Sequence, residues 1–136
     1  MKYLPCIAGG LLGAIFLMAS LTFFFHMMPP QPPPPEGTPI AHFQAAFEPT
    51  GYTAFVKAFE LLGGILVLIP KTRNFGLLIL GPILVNIVAF HVFILKGTMF
   101  FAAPYLTPVA CVLALYLLWV GRKQFAGLCN CRSNSN

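Results

Sequence analysis

Four polar side chains stand out because of where they fall. Lys57 and Glu60 interrupt an apolar run that begins at Gly51, and Asn86 and His91 interrupt the next one. An ionisable side chain inside a membrane helix costs about 2.5–3.5 kcal/mol on insertion scales, so it faces protein or water and has a partner. A carboxyl, an amine, an imidazole and an amide within reach of one another can move protons or hold a polar head group. Glu60 and His91 are the candidate catalytic residues, the first as a proton-handling carboxyl and the second as its relay towards the surface. Lys57 is the charge partner and Asn86 a hydrogen-bond donor. Together Lys57, Glu60, Asn86 and His91 form the candidate ligand-binding set.

Spacing supports the grouping and also strains it. Counting inwards from Gly51 and from Lys96 puts Glu60 and Asn86 at matching levels, each roughly 14 Å deep at the α-helical rise. Lys57 and Glu60 are three apart and share a helix face. Asn86 and His91 are five apart, about 140° around an ideal helix. Both line one cavity only if the helix is over- or under-wound near Pro82; otherwise His91 points to the interface. A structural reading competes with the functional one. In it Glu60 is a protonated carboxyl hydrogen-bonded to Asn86, Lys57 snorkels to head groups, His91 is an interfacial ring bonded to a carbonyl, and the cluster holds two helices in register.

The elements that must position these residues are helices in a bilayer. Only 8% of the 136 residues are charged and 58% are hydrophobic, against about 25% charged in a soluble domain. The chain has length for four spans of about 20 residues and no separate soluble catalytic domain. The expected spans are 4–25, 51–69, 75–95 and 99–120. Gly9, Gly10, Gly13 and Ala14 give the first span a smooth surface for close helix approach. It is too long for a signal-peptide core and is read as an uncleaved span, closed by Met28-Pro29-Pro30.

Between the first two spans, residues 29–39 are too proline-rich for helix or strand and read as a polyproline spacer. Thr38-Pro39 is a helix N-cap signal. Ile40, Phe43 and Phe47 then recur at helical spacing, which predicts a short interfacial helix over 39–47. Pro70 ends the second span, and Lys71–Asn74 is a tight basic turn. Pro82 predicts a kink in the third span. Lys96-Gly97-Thr98 is the next turn, Pro104 and Pro108 bend the start of the fourth span, and Gly121-Arg122-Lys123 closes it before a cytoplasmic tail, 122–136. The fold class is therefore all-α: an integral membrane, antiparallel four-helix bundle with an interfacial helix in its first outer loop.

Lys2, Lys71, Arg73, Arg122, Lys123 and Arg132 fall on one side of that bundle; Lys96, with Lys57 at most, falls on the other. The positive-inside rule then places both termini of a multi-pass membrane protein in the cytoplasm. The net charge of +5 is explained by these span ends, so the expected partner is the lipid bilayer and not nucleic acid. Cys6 and Cys111 lie in apolar runs as small hydrophobes. Cys129 and Cys131 supply two soft ligands with no nearby histidine, so no metal site is expected. No G-x-S-x-G, phosphate loop or H-E-x-x-H occurs.

The stretches FFFHMMPPQPPPP, TGY, K-x-x-E-x-x-GG and GP-x-x-VN-x-x-x-FH, in that order over about Phe23–Ile94, resemble the DoxX-like family of small bacterial four-helix membrane proteins. The resemblance rests on Gly51, Tyr52, Lys57, Glu60, Gly63, Gly64, Pro82, Asn86 and His91. It implies a link to membrane redox chemistry, since some members are similar to the membrane subunit of a thiosulfate:quinone oxidoreductase and others are associated with oxidative-stress assemblies. On that footing the expected ligand is a quinone or a similar amphiphile. The alternative is a non-catalytic accessory subunit of a larger membrane or redox complex. A solute channel is a third reading, for which one four-helix unit without an internal repeat is small.

Overall fold

The computed structural model describes residues 3–27, 32–95 and 106–129, the last three of these as backbone only. Within them the chain is all-helical: α1 Leu4–Phe24, α2 Pro39–Phe47, α3 Tyr52–Leu68, α4 Arg73–Ala89 running on through a π-helical turn at Phe90–Ile94, and α5 Leu106–Cys129. The long apolar runs form helices because nothing in lipid but the chain itself can satisfy backbone polar groups. Three of the helices are long and apolar enough to cross a membrane: α1, α4 with its π-turn, and α5. The number is four if α2 and α3 count as one broken span, although these two meet at 84°.

The caps explain most of the boundaries. Thr38 Oγ1 accepts the Ala41 N–H at 3.4 Å, with Pro39 at the first helical position, so α2 occupies the residues the sequence predicts. Gly51 precedes α3 at φ +75°, a left-handed conformation that glycine adopts without strain. α1 stops earlier than the prolines require. His26 takes φ +53°, its N–H donates to the Phe23 carbonyl and that of Met27 to Thr22. This is a Schellman closure with histidine where glycine is usual. Met28, Pro29 and Pro30 lie outside the described residues, as do the Lys96–Thr98 turn, residues 99–105 with Pro104, and residues 130–136 with Cys131.

α4 keeps its helical course through Pro82 from Arg73 to Ala89, and a π-helical turn follows it, where the Leu95 N–H reaches five residues back to Phe90 at 3.1 Å. One expectation is corrected. α5 does not stop at Gly121-Arg122-Lys123 but continues to Cys129. The side chain of Asn74 hydrogen-bonds Gln124 of that extension. A β-carbon on Gly121 would meet Phe125 of the same helix and Asn74 of α4.

The core lies where α1, α3 and α4 meet, with α5 closing it through Ala110, Ala114 and Leu117. Leu12, Phe16, Val67, Leu77, Leu80 and Leu84 fill it. Close helix approach depends on missing side chains. A β-carbon on Gly13 would lie 2.9 Å from the Gly64 carbonyl, and one on Gly76 would lie 2.7 Å from the Val67 nitrogen and 2.8 Å from the Gly63 carbonyl. In an environment without a hydrophobic driving force between helices, such backbone contact is a main source of packing energy. At one end Arg73 folds over Gly9, where a β-carbon would meet its Nε at 2.7 Å, and donates to the Val67 carbonyl at 3.4 Å. The Ser20 hydroxyl is fully buried and has no hydrogen-bond partner among the described residues. By contrast, Thr22 nearby bonds the Met18 carbonyl at 2.8 Å.

Candidate functional site

The glycine contacts that draw α3 against α1 and α4 fix the position of Glu60. It stands on the same helix one turn before Gly64, and its side chain is only 3% exposed. Lys57 Nζ donates to Glu60 Oε2 at 2.7 Å, the three-residue step the sequence suggests. Lys57 keeps 22% of its side chain exposed, so the pair runs from the protein interior to the edge of an open space. A charged hydrogen bond this short is among the stronger ones a protein makes, and it satisfies a carboxylate that would otherwise be stranded.

That open space is a cavity of about 830 Å³ bounded by α1, α3, the C-terminal end of α4 with its π-turn, and α5, with Phe43 of α2 across it. Its wall is mostly apolar. Lys57, Glu60, Asn86 and His91 all line it. A chamber of this size, apolar with a few convergent polar groups, is the usual form of a small-molecule site.

The four residues are not equally engaged. His91 Nδ1 donates to the Ile87 carbonyl at 2.7 Å. Because a carbonyl only accepts, that bond places a proton on Nδ1. Asn86 is exposed and lines the cavity, and its side chain makes no hydrogen bond among the described residues. Glu60 is therefore bonded to Lys57 and not to Asn86, and the cross-helix clasp of the structural reading is not formed. Asn86 and His91 face one space because the cavity wraps the end of the helix, taking in Ala89, Phe90 and Ile94 as well. The helix is under-wound in that stretch, at the π-turn and not at Pro82. Turns of this kind are rare and occur often at functional sites.

Aromatic rings form the roof. Phe43 of α2 stacks edge-on against Phe90 with centroids 4.9 Å apart, and Phe90 meets the His91 ring at 5.9 Å. Phe47 packs on Tyr52 across the α2–α3 bend at 4.8 Å. A second hollow of about 490 Å³ lies under α2 and shares Thr22, Phe43, Thr53 and Phe90 with the first. The signal for this roof was present in the Phe43 and Phe47 spacing, but nothing local to the sequence pointed to Phe90 as their partner. Side chains at Cys129 and Cys131 lie outside the described set.

These features define an all-helical protein with three or four helices able to cross a membrane and a polar-floored cavity among them. Among known proteins, a stretch of 77 residues is 35% identical to Uncharacterized protein YwoB of Bacillus subtilis (strain 168). The match covers 57% of this chain and 47% of that relative, so the chain spans about half the relative's length. No family model matches the chain. No solved structure matches it.

Proposed function

We propose that this chain is a DoxX-like integral membrane protein, redox-associated, that takes a quinone or a similar amphiphile into the cavity floored by Lys57 and Glu60. One observation carries the reading: a cavity of about 830 Å³ with apolar walls reaches a buried ion pair. A structural carboxyl would be sealed against its neighbour and would need no such space. The head group meets Lys57, Glu60, Asn86 and His91, while the apolar body lies along α1 and α5. Glu60 handles the proton, His91 relays it outwards, Lys57 sets the charge, and Asn86 donates a hydrogen bond. A non-catalytic accessory subunit is the competing proposal, and the open cavity is what weighs against it.

The same proposal arranges α1, α3, α4 and α5 as an antiparallel bundle in the bacterial inner membrane, with both termini cytoplasmic. The imbalance of six basic residues to at most two supports that orientation. α2 then lies in the outer interface, a placement favoured by its 84° angle to α3. The test is titration of the purified full chain in nanodiscs with a short-chain quinone analogue, read by quenching of protein fluorescence. Saturable binding that weakens in Glu60→Gln is the expected result. Absence of saturable binding refutes the proposal, and unchanged quinone-linked activity in Glu60→Gln removes Glu60 from the mechanism.

A further inference from the structure

The charge inventory of the cavity narrows what can enter it; the argument rests on the cavity being a ligand site, as proposed above. Among its described lining residues the only formally charged side chains are Lys57 and Glu60, and they neutralise each other at 2.7 Å. α1 contributes Thr22 as its polar side chain, α2 contributes Phe43, and α5 contributes Thr107. α3 adds the hydroxyls of Tyr52 and Thr53, and the α4 segment adds Asn86 and His91. His91 holds its Nδ1 proton against the Ile87 carbonyl.

We propose that the site selects an electrically neutral head group, one bearing a carbonyl or hydroxyl on an apolar body, and excludes anionic and cationic amphiphiles. A charged head arriving here finds no spare counter-charge among the described residues. To obtain one it must open the Lys57–Glu60 bond and so strand Glu60, whose side chain is 3% exposed. A neutral head meets no such obstacle. The Asn86 amide, exposed to the cavity, offers it both a donor and an acceptor. The remaining Lys57 protons can also donate without breaking the ion pair. Lys57 and Glu60 thus act as a matched pair that sets specificity by cancelling, and removing either one changes which charge is welcome.

The experiment uses the full chain in nanodiscs of zwitterionic lipid, at one alkaline pH at which histidine is neutral. Three nitroxide probes share one alkyl chain and differ in the head: a primary alcohol, a sulfonate and a trimethylammonium. The immobilised fraction is read by electron paramagnetic resonance. The expected result is binding of the alcohol and about a hundredfold weaker binding of both ions, the scale set by one uncompensated charge inside a bilayer. In Glu60→Gln the sulfonate gains; in Lys57→Gln the trimethylammonium gains. The double variant, neutral again, returns to the alcohol alone and guards against misreading a folding defect in either single variant. Sulfonate or trimethylammonium binding to the unaltered protein as well as the alcohol does overturns the neutral-head inference and leaves the ligand site standing. Binding of none of the three overturns the ligand site itself.

Discussion

Replacing Gly76 by alanine is a sharp trial of the packing that holds the site. The new β-carbon would sit 2.6 Å from Val67 Cγ2, 2.7 Å from the Val67 nitrogen and 2.8 Å from the Gly63 carbonyl. Two of these atoms are backbone, so no rotamer change relieves the clash, and α4 must move away from α3. Overpacking of this kind costs about 1–3 kcal/mol, and the backbone contacts put Gly76→Ala near the upper end. Against this, alanine regains about 0.8–1.0 kcal/mol of helix propensity. The net expectation is a loss of about 2 kcal/mol. Gly10→Ala is the internal control, because nothing lies within 4 Å of its β-carbon; it should gain about 0.5–1 kcal/mol from propensity alone. Unfolding in mixed micelles with rising sodium dodecyl sulfate, followed by circular dichroism, measures both. Displacing α4 also carries Asn86 and His91 away from Glu60, so amphiphile binding should fall in Gly76→Ala and not in Gly10→Ala. Equal stability of the two variants would refute the view that α3 and α4 meet backbone to backbone at this point.

Three further outcomes follow from the geometry. Ser20→Ala should stabilise the protein by about 1 kcal/mol in the same unfolding assay, because it removes a buried hydroxyl with no partner among the described residues; a clear loss would show that Ser20 has a bonding role. Lys57→Met should destabilise by about 3 kcal/mol, and more than Glu60→Gln, since the first strands a carboxylate that is 3% exposed while the second leaves a lysine that can snorkel; the reverse order would refute the asymmetry. Phe43→Ala removes the ring that meets Phe90 at 4.9 Å and Phe47 at 4.6 Å, worth about 0.5–1.5 kcal/mol per aromatic pair. Hydrogen exchange should quicken selectively in α2, and unchanged exchange there would mean that Phe43 does not hold the roof down.

Much of the architecture could be read because its causes are local. Thr38-Pro39 caps a helix whatever lies around it, and Lys57–Glu60 is a pairing that the α-helical period alone brings together. The apolar runs announce helices because lipid permits little else. What could not be read depends on neighbours. The π-turn at Phe90–Ile94 has no local signature. His26 ends α1 in a conformation that glycine normally supplies, so the usual stop signal was missing. The continuation of α5 to Cys129 is stabilised by Asn74 and Gln124, fifty positions apart, and no window along the chain contains both. Asn86 was expected beside Glu60, yet the carboxylate is already satisfied within its own helix, which leaves the amide turned to open space.

The hold of Arg73 on α1 bears on how the chain could ever be inverted. Its guanidinium fills the hollow at Gly9 while bonding the Val67 carbonyl, so the opening turns of α1 and the hairpin between α3 and α4 are clasped at a common face. Dual insertion, with some copies one way up and some the other, remains open to this protein only as a rotation of the whole. A copy in which one half alone had flipped would drag a guanidinium through hydrocarbon and leave an unfilled notch behind it. Reporters attached near Met1 and near Lys71 should therefore agree with each other in every molecule, whichever compartment they report.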